Sequence, residues 1–542
     1  MTQAARQGYR WGTEVTQTEQ GRHYTHRPRC VADLLRDFAR WGDRAVLVAG
    51  DRRITFADHL ADIDEVAAEL RRRGLRPGQR IALLARNSAE WVTAFWAIAK
   101  IGGVVAFANA WWSDEEVGEA LRRIQPALVV VDDEWCGRTA VRCWPQLTVS
   151  GLRELVDGEP TVVDVPAHLP DETDPAAIFF TSGTQGAPKG VILSQRAVVA
   201  NIQNVLVRTR RLPDRLPDDH QGTVSLMCLP LFHVGGFQTL VSAQLSGGRL
   251  LFLEGRFDAE EVLRLIERER ITFFGGVPTM ISRVLDSPRL QHYDTSSLVS
   301  IAMGGSLVVP ELAEKIARAM PSARRNIASI YGQTESGGAL TAAGGTDLLD
   351  RPGCVGKPLP TTEIMITNPD IDGVGEVLAK APTLMSGFLN EGEATNPIDD
   401  QGWLHTGDLG RLDAEGYLYI VGRSRDIIIR GGENIAPGHV EDRLLQHPSV
   451  RDVAVVALPH PTLGEEVGAA VVVRAGDEVD ASDLRAFAAT TLAHFEVPSR
   501  WWLGTEPLPL GSTGKVVKRE LVERWVDTPI TIGRKETRDD AS

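Results

Sequence analysis

Between two apolar runs the chain reads Thr181-Ser182-Gly183-Thr184-Gln185-Gly186-Ala187-Pro188-Lys189-Gly190. Glycines let backbone amides approach an anion, hydroxyls at 181, 182 and 184 add donors, and Lys189 adds a positive charge, so the string suits a polyphosphate. Its spacing is not that of a strand-to-helix phosphate loop. Pro188 stands where the second glycine would be, and Gly190 replaces the hydroxyl after the lysine. Ala176–Phe180 leads in and Val191–Leu193 leads out, which makes the decade a loop between two strands, with Ser194 capping the helix that follows. Read alone, it is either a phosphate cradle or a polar hairpin turn.

The same decade closely resembles the signature of the adenylate-forming superfamily, which holds acyl-CoA synthetases, luciferases and the adenylation domains of peptide synthetases. Further segments match in the family's order, from about Val31 to Val522. The resemblance implies that Thr181, Ser182, Gly183, Thr184, Gly186 and Lys189 bind the nucleotide. Tyr331-Gly332-Gln333-Thr334-Glu335 resembles the segment that contacts it further, with Glu335 as a hard oxygen ligand for Mg²⁺ and Thr184 as its second candidate. Gly402-Trp403-Leu404-His405-Thr406-Gly407-Asp408 resembles the ribose segment. A carboxylate held on a tight turn can accept from two vicinal hydroxyls, which suits Asp408. Gly422-Arg423-Ser424-Arg425-Asp426 is similar to the junction between a large and a small domain, with Arg423 facing ribose or phosphate and Arg425 at the hinge position.

Ile428–Pro437, with Gly431 and Gly432, looks like the segment that lines a tunnel for the pantetheine arm of coenzyme A. Leu508-Pro509-Leu510-Gly511-Ser512-Thr513-Gly514-Lys515 resembles the family's C-terminal lysine motif. Attack of a carboxylate on the α-phosphate brings two anions together, and Lys515 would offset that repulsion. Leu229–Gly236, which carries Phe232 and His233, resembles an aromatic gate above the acid site. Gly275-Gly276 and Gly304-Gly305 would line the same apolar cleft, with Gly304 and Gly305 also counted as nucleotide contacts. The catalytic set implied is Lys515, Thr184, Glu335 and His233. Three positions depart from the family's usual residues: Gln185, Arg425 and His439.

These side chains need elements to hold them. Up to about residue 170, and again after the glycine-rich loop, helical and strand-like patterns alternate: Val31–Arg40 and His59–Arg73 repeat at helical spacing, Arg80–Leu84 and Ala127–Val131 are short apolar runs, and Ser113–Glu116 has capping-box spacing. Such alternation predicts an α/β fold: a large N-terminal domain, residues 1–424, of parallel-type sheets flanked by helices, with a β-rich subdomain from Gly353 to Ile420. Residues 425–542 read as a small α+β domain with two helices and several strands, which the resemblance makes mobile. Trp91–Trp112 is mostly apolar, but Lys100, Gly102-Gly103 and Asn109 favour a buried helix capped by Ser88 and then a strand over a transmembrane span.

With 542 residues, more than one core is expected, and a net charge of −14 argues against a non-specific nucleic-acid binder. Cys30, Cys136, Cys143, Cys228 and Cys354 have no metal-ligand spacing, and the arginine-rich N-terminus lacks the apolar segment of a secretory signal; both fit a cytoplasmic protein. The combined expectation is an AMP-forming acyl-CoA synthetase. It adenylates a hydrophobic carboxylic acid, fatty or aryl, with ATP and Mg²⁺, and passes the acyl group to coenzyme A. Loading of a carrier protein is the nearest alternative, and a catalytically inactive nucleotide-binding sensor the alternative of another class. A homodimer and peripheral membrane contact stay open.

Overall fold

The computed structural model describes residues 9–18, 21–158, 165–181, 188–253, 255, 257–306, 308–390, 396–431, 433–474, 476–510 and 516–527. The chain forms two compact units, one made of Met1–Met365 and Leu378–His405, the other of Ile366–Val377 and Thr406–Ser542.

In the larger unit, one sheet runs in spatial order Gly387–Phe388, Lys189–Ser194, Pro175–Thr181, Val104–Phe107, Arg80–Leu84, Leu128–Val131, Gln146–Thr148. From Pro175–Thr181 onward the neighbours are parallel, whereas Lys189–Ser194 turns back antiparallel. Runs such as Leu128-Val129-Val130-Val131 are buried throughout, as strands covered on both faces must be. Ser88 caps the helix Ala89–Lys100 by accepting from Trp91 N at 3.0 Å, and the strand Val104–Phe107 follows. The apolar stretch Trp91–Trp112 is therefore helix and strand, and among the described residues no helix is long and apolar enough to cross a membrane.

A second sheet has a parallel centre: Ala45–Ala49, Arg249–Phe252, Val224–Met227, Phe273–Gly276, Ser300–Gly304 and Ile327–Gln333. Gly338–Ala343 continues it antiparallel on one side and Arg52–Thr55 on the other. Crossover helices such as Ala259–Glu269 and Pro278–Leu285 join the parallel strands. The helix expected over Val31–Arg40 takes the tighter 3-10 form over Val31–Trp41, and still buries Leu34, Leu35, Phe38 and Trp41.

The N-terminal segment is strapped to this unit. Trp11 Nε1 donates to Asp37 Oδ2 (3.0 Å), Gln203 Nε2 donates to the carbonyls of Gly12 (2.8 Å) and His26 (2.9 Å), and Tyr24 hydroxyl donates to Asn204 Oδ1 (2.8 Å).

In the smaller unit, Ile428–Arg430, Glu433–Ile435, Gly464–Val473, Val450–His460 and Arg500–Gly504 form one sheet. Three helices accompany it among the described residues, not the expected two: Pro437–Leu445, Ala481–Ala489 and Lys518–Asp527. The last is mostly charged; its Leu521 and Trp525, one turn apart, reach the core with Leu458 and Val472, and Val522 packs against it partly buried.

Candidate active site

The phosphate hairpin rests on aromatic packing. Phe179 lies in a buried stack, Trp91–Phe107–Phe179–Phe237, with successive ring centroids 5.3, 4.4 and 5.6 Å apart. Phe237 belongs to the helix Val234–Leu245, which starts directly after His233. One core thus supports both the strand entering the loop and the segment carrying His233.

Strand register sets Lys189 opposite Thr181, so a hydroxyl and an ammonium flank the mouth of the loop. Lys189 Nζ lies 5.1 Å from the centroid of the Phe388 ring, within cation–π range. Gly190 sits in tight packing: a Cβ there would stand 3.0 Å from Leu389 Cβ and 3.2 Å from Ile178 Cγ2, so these neighbours would have to give by a few tenths of an ångström. Ser182, Gly183, Thr184, Gln185 and Gly186 lie outside the described residues.

Glu335 follows the strand Ile327–Gln333 in a turn that leads back into Gly338–Ala343. Gly332 is forced there, since a Cβ would meet Gly338 O at 2.0 Å. The buried Ser336 ties the turn: its hydroxyl accepts from Gln333 N (3.0 Å) and bonds Gly338 O (2.7 Å). Sequence reasoning passed over Ser336, although a hydroxyl one residue past the motif is the signal for such a turn.

A segment that sequence reasoning missed links this turn to the phosphate hairpin. Met385 N donates to Glu335 O (2.9 Å), Ser386 N to Ile192 O (2.9 Å) and Leu389 N to Gly190 O (2.7 Å). Gly387–Phe388 pairs antiparallel with Val191–Ile192. Five residues therefore join the candidate cation ligand to the candidate phosphate ligands through their backbones.

Tyr331–Gln333, Gly304-Gly305, Gly275-Gly276 and the segment after Met227 emerge side by side from the C-terminal ends of adjacent parallel strands. Ligands of open α/β sheets bind at that end. His233 stands at the N-cap of Val234–Leu245, half-buried, with its ring 4.6 Å from that of Phe232. Phe232 in turn meets the edge of Trp111, a half-exposed ring at the end of a strand from the other sheet, at 5.3 Å. Cys228 is no nucleophile here, because burial pushes its thiol well up.

In the smaller unit Asp408 is buried, and Arg423 Nε donates to its Oδ1 at 3.1 Å, the two residues facing each other across an antiparallel pair. The turn expected around Asp408 is instead a strand, Leu404–Leu412, since pairing with Leu418–Arg423 begins at Asp408 itself. Thr406 Oγ1 accepts from Asp408 N (3.1 Å), and Glu376 Oε1 accepts from Gly407 N (3.2 Å).

Gly431 begins the turn between Ile428–Arg430 and Glu433–Ile435, and its N donates to Leu463 O at 2.8 Å; Gly432 lies outside the described residues. So does Lys515, but the neck of its loop is fixed. Leu510 and Val516 pair antiparallel, Val517 N donates to Pro509 O (2.9 Å), and Lys518 pairs with Glu441 at 2.7 Å. Glu441 also accepts from Val455 N (2.8 Å), and His439, two residues earlier, is exposed.

An antiparallel strand pair around the glycine-rich segment, a glutamate turn at the carboxyl ends of a parallel sheet, and in the second unit an Asp–Arg pair accord with a nucleotide-dependent class of protein. The chain belongs to the family of AMP-binding enzymes: that family's model matches residues 34–389, and the model of the AMP-binding enzyme C-terminal domain matches residues 439–515. It is 29% identical over 530 residues to a long-chain-fatty-acid–CoA ligase of Bacillus subtilis (strain 168), covering 90% of this chain and 92% of that one. A feruloyl-CoA synthase of Amycolatopsis sp is 32% identical over 498 residues, covering 90% of this chain and 97% of the relative. Among solved structures, ATP-bound MatB from Rhodopseudomonas palustris superposes with a TM-score of 0.80 at 28% identity, covering 91% of this chain and 99% of that one.

Proposed function

We propose that this protein is an AMP-forming acid–thiol ligase that adenylates a hydrophobic carboxylic acid and transfers the acyl group to coenzyme A. One observation carries the reading: Met385–Leu389 binds the Glu335 turn and the Lys189–Ser194 strand at once, which gives a polyphosphate a single preorganised surface. Preorganised donors and charges count for most where charge develops during reaction.

In the first half-reaction a carboxylate oxygen attacks the α-phosphorus of ATP and the bond to the β-phosphate oxygen breaks. The products are acyl-adenylate and pyrophosphate. Thr181 and Lys189, with the residues between them, bind the triphosphate, Asp408 accepts from the ribose hydroxyls, and Arg423 holds Asp408 in place. Lys515 offsets the repulsion between carboxylate and phosphate. Among the described residues no group of three or more His, Cys, Asp or Glu could hold a metal ion by itself. Glu335 would hold a Mg²⁺, with Thr184 the second candidate, and the ion would supply neutralisation of phosphate charge.

In the second half-reaction the thiol of coenzyme A attacks the acyl carbon, its proton is lost, and AMP leaves. The segment around Gly431-Gly432 borders the pantetheine arm at this stage, and the chain near Arg425 is the hinge between the two arrangements. His233 and Phe232 border the acid. The names of the relatives, a fatty-acid and a feruloyl ligase, favour an apolar chain or ring and coenzyme A over a carrier protein. A cytoplasmic location accords with the free thiols of all five cysteines.

The test is a panel of acids, from short fatty acids to aryl acids, with ATP and Mg²⁺, with and without coenzyme A. The expected result is AMP and acyl-CoA from a hydrophobic subset. Adenylate formed but never passed to coenzyme A would favour a carrier-protein loader, and nucleotide binding without turnover of any acid would contradict the enzyme reading.

A further inference from the structure

We infer that Asn87 is a positioning residue for the acid-binding segment Leu229–His233, acting across the gap between the two sheets of the larger unit. The inference rests on the reading that Phe232 and His233 border the acid.

Arg86, Asn87 and Ser88 follow the strand Arg80–Leu84, and each commits its polar side chain to a different element. Arg86 reaches Asp132 (Nε to Oδ2, 3.3 Å), at the end of the neighbouring strand. Ser88 caps the helix Ala89–Lys100. Asn87 leaves its own sheet: its Nδ2 donates to Leu229 O at 2.9 Å, and its Oδ1 accepts from Leu231 N at 2.9 Å.

The residue type is matched to that task. A carboxamide offers donors at one end and an acceptor at the other, as an adjacent strand would, and so satisfies an outward C=O and N–H two residues apart. Leu229–Leu231 lies beyond the strand Val224–Met227, and Pro230 between its two bonded residues has no N–H to give. The Asn87 amide stands in for the missing ladder partner.

What the bonds fix lies immediately downstream. His233 N donates to Pro230 O (3.2 Å), and Phe237 N donates to His233 O (3.0 Å). Locking residues 229 and 231 therefore sets the turn that aims the rings of Phe232 and His233. The Trp111 edge on Phe232, also from the first sheet, is a second strut at the same place. Losing the amide would leave the fold standing on its cores and loosen the segment on the acid side alone.

The experiment compares the wild type with Asn87→Ala and Asn87→Asp in steady-state acyl-CoA formation over several acids. Asp preserves size and the acceptor for Leu231 N, but sets a carboxylate against Leu229 O. Both variants should raise KM for the acid ~10-fold, the loss expected from leaving a part-buried hydrogen-bonding group of the segment without its partner, with KM for ATP within ~2-fold of wild type. The preference between a bulky and a small acid should flatten in step. Equal falls for all acids with both KM values unchanged, or wild-type behaviour in both variants, would overturn the positioning role. If Asn87→Ala does not fold, Asn87→Asp alone decides by the same criteria. A wild-type protein that adenylates no acid would instead remove the acid-site reading, and the inference with it.

Discussion

Met385 donates its backbone N–H to the carbonyl of Glu335 at 2.9 Å, and Leu389, four residues later, does the same for Gly190 at 2.7 Å. Two segments proposed to bind different parts of one nucleotide are thus held in register by the backbone hydrogen bonds of a third. Phe388 also places its ring 5.1 Å from Lys189 Nζ. Phe388→Ala should raise KM for ATP by ~2–5-fold, the worth of an exposed cation–π contact, and leave KM for the acid unchanged. Initial rates at varied ATP check it.

Glu335→Gln keeps the shape of the turn, whose bonds are made by backbone and Ser336, but removes an anionic oxygen. Adenylate formation should fall ~10²–10³-fold, as for loss of one preorganised electrostatic group, and saturate at higher Mg²⁺. An unchanged Mg²⁺ dependence would remove Glu335 from the cation site.

Asp408 is assigned to the ribose, and this can be read without ambiguity from deoxynucleotides. Wild type should lose ~10-fold or more in kcat/KM on replacing ATP by 2′- or 3′-deoxy-ATP, because a hydroxyl donor to the Asp408 carboxylate is lost. Asp408→Ala should be poor with ATP and nearly indifferent to the missing hydroxyl. If the variant discriminates as the wild type does, another group reads the ribose.

Stability should carry a signature from Asp37. Burial pushes its carboxyl up to about 7, against partial relief from the bonds given by Trp11 and Tyr9, with Asp214 adding to the rise and Arg40 opposing it. In the unfolded chain an Asp titrates near ~3.9. Below that pH both states are protonated and no penalty exists. As pH rises towards 7 the unfolded chain ionises freely and the folded one does not, so Asp37's contribution to stability falls across this window and is constant above it. Asp37→Asn, which keeps an acceptor for Trp11, should therefore gain Tm relative to wild type by a few degrees between pH 4 and 7. A Tm difference that does not change with pH would contradict the assignment.

Features that depend on neighbours in sequence were legible. The caps at Ser88, Ser113 and Ser194 and the strands Pro175–Thr181 and Lys189–Ser194 stand where the residue types place them. They follow from local hydrogen bonding and a two-residue period, which a single sequence carries. The small unit shows three helices among the described residues where two were expected, and the mostly charged Lys518–Asp527 offers few apolar positions to reveal a face. Links between distant positions escaped for another reason. Asn87 meets Leu229 across 142 positions, and Trp11 meets Asp37 across 26, through groups whose pairing no propensity or period encodes. Asp408 was read as a turn residue because Gly407 and Gly410 bracket it, whereas pairing with Leu418–Arg423 makes the segment a strand.

The central claim, that Lys515 serves the meeting of carboxylate and α-phosphate and not the thioester step, is tested most directly by acid-dependent ATP–pyrophosphate exchange in Lys515→Ala. Exchange should fall by at least ~10²–10³-fold, while acyl-CoA formation from chemically supplied acyl-adenylate persists near the wild-type rate. Exchange at the wild-type rate in that variant would contradict it.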